Sequence, residues 1–259
     1  MELAFYKYQG TGNDFVLIDN RLKTFDTSNT KRIQHICDRK FGVGADGFIC
    51  LENDANFDFK MVYFNADGNE STMCGNGGRC IVAFAKYLNI IENYAHFVAI
   101  DGPHNASIKN DIISLQMQNV ADILVTDTHV FLNTGSPHHI SYQKNIHQLD
   151  IKLNGSSIRN GAPYFKEGTN VNFVEQIDNN TFKVRTYERG VEDETLSCGT
   201  GVTAVAIASH KTNKTHSSVI NLQTEGGNLK VSFKVKDNVY TDVFLEGPAV
   251  QVFKGNISI

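Results

Sequence analysis

The sequence predicts an α+β fold of two similar, mainly antiparallel halves, each holding one buried helix. Three observations carry this. Strand-like segments dominate the chain. One eight-residue pattern occurs twice, and each copy opens an apolar segment of helical character.

Residues 3–8, 15–19, 57–64, 113–118, 130–133, 182–187, 219–223, 229–236 and 239–245 read as strands. Several alternate apolar and polar residues, as in Leu229-Lys-Val-Ser-Phe-Lys-Val, which is the period of a strand with one buried face. Short spacing and frequent Gly or Asn turns favour antiparallel sheet over βαβ units. Two segments break the period. Residues 75–90 begin Gly-Asn-Gly-Gly and carry Ile81, Phe84, Ala85 and Leu88 at helical spacing. Residues 199–211 begin Gly-Thr-Gly and are apolar nearly all round, as a buried central helix is. A third helix is predicted near 30–39.

Composition excludes several classes. At 259 residues the chain suits one large domain or two small ones. Hydrophobic residues at 41% and charged residues at 20% fit a folded globule rather than a disordered chain. The net charge is −4 and no run of Lys and Arg stands out, so nucleic acid is not an expected partner. No apolar stretch approaches the roughly 18 residues of a membrane helix. The N-terminal residues lack the order of a secretory signal, so a cytoplasmic protein is expected. Five cysteines do not make a disulfide framework, and no metal-ligand spacing occurs, so no metal is expected.

The repeat is the main signal. Glu70-Ser-Thr-Met-Cys74-Gly75-Asn-Gly77 matches Glu194-Thr-Leu-Ser-Cys198-Gly199-Thr-Gly201 at a constant offset of 124. Each copy follows a strand that carries a Tyr, Tyr63 or Tyr187, at that same offset. One copy alone would read as a tight turn into a helix with a packed Cys; two matched copies point to function. A helix N-terminus carries partial positive charge and N–H groups without intrahelical acceptors. A thiol there is biased towards the reactive thiolate. Two such termini facing each other would bind one carboxylate and set a sulfur on each side of the adjacent carbon. That suits inversion at a carbon bearing an acidic hydrogen: one thiolate removes the proton and an opposite thiol returns one. The N–H groups stabilise the carbanionic charge. The pair is expected to titrate as a coupled unit holding about one proton.

Further landmarks span nearly the whole chain. They are Gly10-Thr-Gly12-Asn13-Asp14-Phe15-Val16, Phe64-Asn65-Ala66-Asp67-Gly68, Cys74-Gly75-Asn76-Gly77-Gly78-Arg79-Cys80, Gly135-Ser136-Pro137-His138, Glu167-Gly168-Thr169-Asn170 and Tyr187-Glu188-Arg189-Gly190. Together with the repeat they resemble the diaminopimelate epimerases, cofactor-independent two-cysteine enzymes of lysine and peptidoglycan-precursor synthesis. The resemblance implies two pseudo-symmetric domains, each a mainly antiparallel β-barrel around a central α-helix, with the site in the cleft between them. It implies one half of residues 1–118 plus 247–259, carrying Cys74, and another of 119–246, carrying Cys198. It implies epimerisation of LL-2,6-diaminopimelate to the meso form without pyridoxal phosphate, by Cys74 and Cys198 as the two acid/base residues. Gly75, Asn76, Gly199 and Thr200 would supply N–H groups to the carboxylate at the reacting centre. Arg189 would take the distal carboxylate, with Asn13, Asn65 and Asn170 around that end. Glu188 would bind the distal ammonium and assist Cys198, and His138 would assist Cys74. The family often forms homodimers, so a homodimer is the partner it suggests beside the small-molecule substrate. Two departures touch the distal end: Gly47 stands where many members carry Gln, and Ser136 where Asn is common.

Each polar landmark has a plain structural alternative, and with 26 Asn in the chain a single Asn carries little weight. Other functions fit the sequence less well. A two-cysteine racemase of proline type would not need Arg189 and the Asn set. A Cys-nucleophile hydrolase needs one thiol, not two. A thiol–disulfide exchanger would show CxxC spacing, and a binding protein would have no use for both thiols. Gly42-Val-Gly44-Ala-Asp-Gly47 matches GxGxxG but follows a helix and leads into a strand, the reverse of the dinucleotide fingerprint. Cys37, Cys50 and Cys80 are expected to be buried packing residues.

Overall fold

The structure is a computed structural model and describes residues 2–258. The chain divides into two units, Met1–Leu115 with Gly247–Ile259, and Gln116–Glu246.

In the first unit, β1 (Glu2–Gly10) and β2 (Asn13–Asp19) form a hairpin. Its two loop residues, Thr11 and Gly12, both take positive φ, 50° and 86°. That backbone twist matches the twist of the flanking strands. α1 (Thr30–Cys37) starts at Asn29, whose side chain accepts from Arg32 N at 3.1 Å. Its Ile33 and Ile36 are fully buried. It leads to β3 (Gly47–Glu52), parallel to β2, and β4 (Phe59–Asn65) then runs antiparallel to β3. α2 (Gly75–Tyr87) crosses to β5 (Tyr94–Ala99), parallel to β4. β6 (Gly102–Lys109) and β7 (Ile112–Gln116) follow as antiparallel neighbours.

The second unit begins with β8 (Ile123–Val125), β9 (Val130–Asn133) and β10 (Pro137–Tyr142), joined antiparallel in that order. α3 (Ile151–Asn160) leads to β11 (Asn170–Gln176), parallel to β10. β12 (Thr181–Glu188) pairs antiparallel with β11 and with the short β13 (Asp193–Thr195). α4 (Gly199–Lys211) crosses to β14 (Val219–Thr224), parallel to β12. β15 (Gly227–Lys236) and β16 (Val239–Pro248) close the series antiparallel. The last strand, β17 (Val250–Ser258), returns to pair with β1.

The duplication is visible in the topology. From β1 and from β9, successive joins run antiparallel, parallel, antiparallel, parallel, antiparallel, antiparallel. The sheet is mainly antiparallel, as expected, but the expected absence of βαβ units is corrected. Each parallel join is bridged by a helix, because parallel neighbours cannot be linked by a tight turn.

α2 packs on β1 to β4 and α4 on β9 to β12, β14 and β15, so each is the central helix of its unit. Ile81, Val82 and Phe84 of α2 and Val202 through Ser209 of α4 are buried. Each fully buried Ile, Val or Phe contributes roughly 1.5–3 kcal/mol. α3 lies on β11 and β12 with only Ile151 and Gly155 buried. A Cβ on Gly155 would stand 2.3 Å from Tyr187 Cβ, so glycine sets how closely that helix approaches. Among the described residues no helix is long and apolar enough to cross a membrane.

Candidate active site

In the first unit Cys74 is the N-cap of α2, with extended backbone at φ −93° and ψ 130°. The first amide to bond back within the helix is Gly78 N, to Cys74 O at 2.7 Å. The amides of Gly75, Asn76 and Gly77 therefore precede the intrahelical ladder, in the anion-binding position of a helix start. Gly77 lets this turn sink into the sheet: a Cβ there would meet Ile49 Cδ1 at 3.2 Å and Met61 Cε at 3.4 Å.

Asn13 reaches Cys74 from the start of β2. The Cys74 thiol donates to Asn13 Oδ1 at 3.6 Å, and Asn76 Nδ2 donates to the same oxygen at 3.2 Å. Asn13 Nδ2 donates to Asp46 Oδ2 at 2.7 Å. Asp46 belongs to a charged cluster with Lys7, Asp14 and Arg39. Burial pushes the Asp14 carboxyl up, but hydrogen bonds from Arg39 and Lys7 outweigh it and hold the group at about 2. Asn65, at the end of β4, accepts from Tyr63 Oη at 2.9 Å.

Arg79 was not among the expected site residues. It is fully buried one turn into α2. Its guanidinium donates to Gly75 O at 3.3 Å, Asn76 Oδ1 at 3.0 Å, Thr11 Oγ1 at 3.2 Å and Pro248 O at 3.4 Å. Among the described residues no carboxylate pairs with it. Burial accordingly lowers its pKa, while the nearby Cys80 and Cys74 sulfurs act against that shift. An arginine inside an otherwise apolar helix was the sequence signal for it.

In the second unit Cys198 is the N-cap of α4, also extended, at φ −121° and ψ 112°, and is 7% exposed. Val202 N bonds back to Cys198 O at 3.0 Å, leaving Gly199, Thr200 and Gly201 at the start of the turn. Cys198 Sγ lies 3.5 Å from Thr200 Oγ1. His138 Nε2 lies 2.9 Å from the same hydroxyl, so within its own unit His138 is linked to the Cys198 turn. His138 is fully buried, and burial with the Arg189 charge lowers its pKa to about 3; the imidazole is neutral. Asn172, from the adjacent strand, donates to His138 Nδ1 at 3.1 Å. Sequence reasoning missed it.

The remaining expected residues gather around β11 and β12. Asn170 is buried, donates to Ser136 Oγ at 2.8 Å and Pro137 O at 3.0 Å, and accepts from Arg189 N at 2.9 Å. It thereby fixes the backbone of Arg189, whose exposed side chain donates to Glu167 O at 3.0 Å. Glu188 accepts from Thr195 Oγ1 at 3.1 Å. Glu194 of the repeat is held by Arg185 at 2.6 Å and braces the turn.

The other cysteines are placed in cores. Burial pushes the Cys37 thiol up to about 12 and the Cys50 and Cys80 thiols well above their ordinary value. Among the described residues no group of three His, Cys, Asp or Glu is arranged to hold a metal ion.

The family described as Diaminopimelate epimerase matches residues 5–120 and 130–252. The diaminopimelate epimerase of Flavobacterium psychrophilum is 58% identical over 256 residues, covering 98% of this chain and 100% of that protein. That of Chlorobaculum tepidum is 40% identical over 260 residues, covering 96% and 99%. Among solved structures, a phenazine biosynthesis protein of the PhzF family from Bacillus anthracis matches over 100% of both chains, with TM-score 0.77 and 14% identity. A hydroxyproline epimerase from Agrobacterium vitis matches over 100% of this chain and 93% of that one, with TM-score 0.71 and 12% identity. At such identities these structures show a shared fold.

Proposed function

Since this chain belongs to the diaminopimelate epimerase family, we propose that it interconverts LL- and meso-diaminopimelate by a two-base thiol/thiolate mechanism. The observation that carries the proposal is the placement of Cys74 and Cys198 as N-caps of the central helices of two topologically equivalent units. We take the functional halves to be 1–118 plus 247–259, carrying Cys74, and 119–246, carrying Cys198. The reaction requires the two to present their sulfurs to opposite faces of one α-carbon.

One thiolate removes the α-proton and the other thiol delivers a proton to the opposite face. The amides of Gly75, Asn76, Gly199 and Thr200 hold the α-carboxylate and stabilise the charge that spreads onto it. The chain's own thiols and amides supply each of these steps. Arg189 pairs with the distal carboxylate through its planar fork. Asn13, Asn65, Asn170 and Glu188 complete that end. His138 and Glu188 tune the sulfurs. The product serves lysine and peptidoglycan-precursor synthesis. We assign the enzyme to the cytoplasm and to a homodimer, both following the family. Cell fractionation and light scattering test those two assignments.

The reaction is tested with LL- or meso-diaminopimelate in D₂O, without added pyridoxal phosphate or metal, following the α-carbon by NMR. Interconversion with deuterium incorporation is expected. No exchange by the reduced protein would overturn the proposal. Cys74→Ala and Cys198→Ala are each expected to abolish interconversion.

A further inference from the structure

We infer that Asn172 is a positioning residue that sets the tautomer of His138, so that the Thr200 hydroxyl donates its hydrogen bond to Cys198 and favours the thiolate there. This deepens the function proposed above and rests on it for the role of Cys198.

The argument is one of hydrogen-bond polarity. Asn172 is fully buried on β11. Its Nδ2 donates to His139 O at 3.3 Å, a carbonyl that can only accept, and its Oδ1 accepts from Thr186 Oγ1 at 3.0 Å. These two partners fix which end of the amide is which. The NH₂ group therefore faces His138 Nδ1, at 3.1 Å, and that nitrogen must be the acceptor. A neutral imidazole with Nδ1 as acceptor carries its proton on Nε2. Nε2 then donates to Thr200 Oγ1 at 2.9 Å. A hydroxyl has one proton, and once its oxygen accepts from His138 that proton is left for Cys198 Sγ at 3.5 Å. A donor at sulfur favours the charged form over the thiol.

The fold makes room for this chain of contacts at one point. A Cβ on Gly201 would stand 2.5 Å from Asn172 Oδ1 and 3.3 Å from Cys198 Sγ. The glycine of the repeat thus lets the Asn172 amide lie directly under the first turn of α4. Thr134 Oγ1 donates to Thr200 O at 2.8 Å and holds the same turn from the β9–β10 loop.

Other charged groups of this unit face the site. Arg189 disfavours a proton on His138, which keeps the imidazole in its neutral form. Glu188 accepts from Thr195 Oγ1 at 3.1 Å. Glu194 is engaged by Arg185, and the first turn of α4 has no acidic residue. His139, next to His138, has its pKa lowered to about 4 by burial and the neighbouring His129, and is neutral as well.

Two measurements on the full chain test this. The tautomer of His138 is read directly from long-range ¹H–¹⁵N couplings near pH 7; an Nε2–H ring is expected, and an Nδ1–H ring would overturn the inference. The second reads the pH midpoint of Cys198 alkylation by iodoacetamide, in a Cys74→Ser background so that one thiol titrates alone. Thr200→Val is expected to raise that midpoint by about one pH unit, and Thr200→Ser to leave it near the parent value. Asn172→Asp, which replaces the donor with an acceptor, is expected to raise it too. Equal midpoints for Thr200→Val and the parent would overturn the inference. Neither readout involves the substrate, so failure of the relay and failure of the proposed reaction are told apart. If Asn172→Asp does not fold, the tautomer and the Thr200 pair still decide.

Discussion

The ring of Tyr63 occupies the space that a side chain at position 47 would need: a Cβ built on Gly47 falls 2.5 Å from Tyr63 Cε2 and 2.8 Å from Phe64 O. Such a distance requires movement of the ring and of backbone. The departure at Gly47 is therefore not a simple loss of an amide. An aromatic residue from the neighbouring strand has taken its volume, and its hydroxyl donates to Asn65.

Gly47→Gln is accordingly expected to destabilise the protein rather than restore a family contact. Overpacking of this kind costs about 1–3 kcal/mol, or several degrees in Tm for a chain of this size. Adding Tyr63→Ala should recover part of the loss. Thermal melts of the two single variants and the double variant check the coupling. An unchanged Tm for Gly47→Gln would show that the ring moves aside freely.

Arg79 is expected to matter more for activity than for stability. Replacing a buried charge that has no carboxylate partner with a hydrophobe of similar volume relieves its desolvation. The same change removes the guanidinium donor from Asn76 Oδ1 and Gly75 O, which opposes that gain. For Arg79→Met these effects offset one another in a denaturant melt. The Asn76 amide, however, loses the group that orients it towards Asn13 and Cys74. A fall of about tenfold or more in kcat/KM is expected, corresponding to roughly 1.4 kcal/mol. Parent-level turnover by a folded Arg79→Met variant would contradict it.

These cases show what could be read in advance. The two cysteines were legible because the repeat marks them, α2 because its apolar residues follow a helical period, and α4 because it is apolar nearly all round. α3 was not, since only Ile151 and Gly155 of its ten residues are buried and Asn, Ser and Gly weaken the pattern. The parallel joins were not legible either, because no local period says which strand becomes a neighbour. Asn172 depends on that missing knowledge. It meets His138 through the parallel register of β10 and β11, and in the sequence it is one of 26 asparagines.

The buried histidines predict an acid-sensitive stability. His138 falls from 6.5 to about 3 and His139 to about 4, both chiefly by burial. Below pH 6.5 the unfolded chain gains protons that the fold refuses, so stability is lost as pH falls from there towards 3. Each such group contributes a slope of up to about 1.4 kcal/mol per pH unit in that window. Asp14 acts lower, since a carboxyl held at about 2 loses its contribution between about pH 4 and 2. Urea midpoints at pH 7, 6 and 5 should fall progressively, and less steeply in His139→Gln. A flat profile over that range would contradict the buried, neutral imidazoles.

Under the proposed reaction, the link from Asn170 to Arg189 separates recognition of the distal end from the chemistry. Asn170 Oδ1 accepts from Arg189 N at 2.9 Å, while Asn170 Nδ2 holds Ser136 and Pro137. Asn170 is thus bonded within its own unit on both sides of its amide, and its first effect is to set the position of Arg189. Lys in place of Arg189 keeps the charge but loses the planar fork. Arg189→Lys and Asn170→Ala should both raise KM by roughly tenfold or more, with kcat reduced less, as expected when binding remote from the reacting carbon is lost. The two effects should not add in the double variant, because both act through one guanidinium. Additive losses would mean that Asn170 contacts the substrate independently of Arg189.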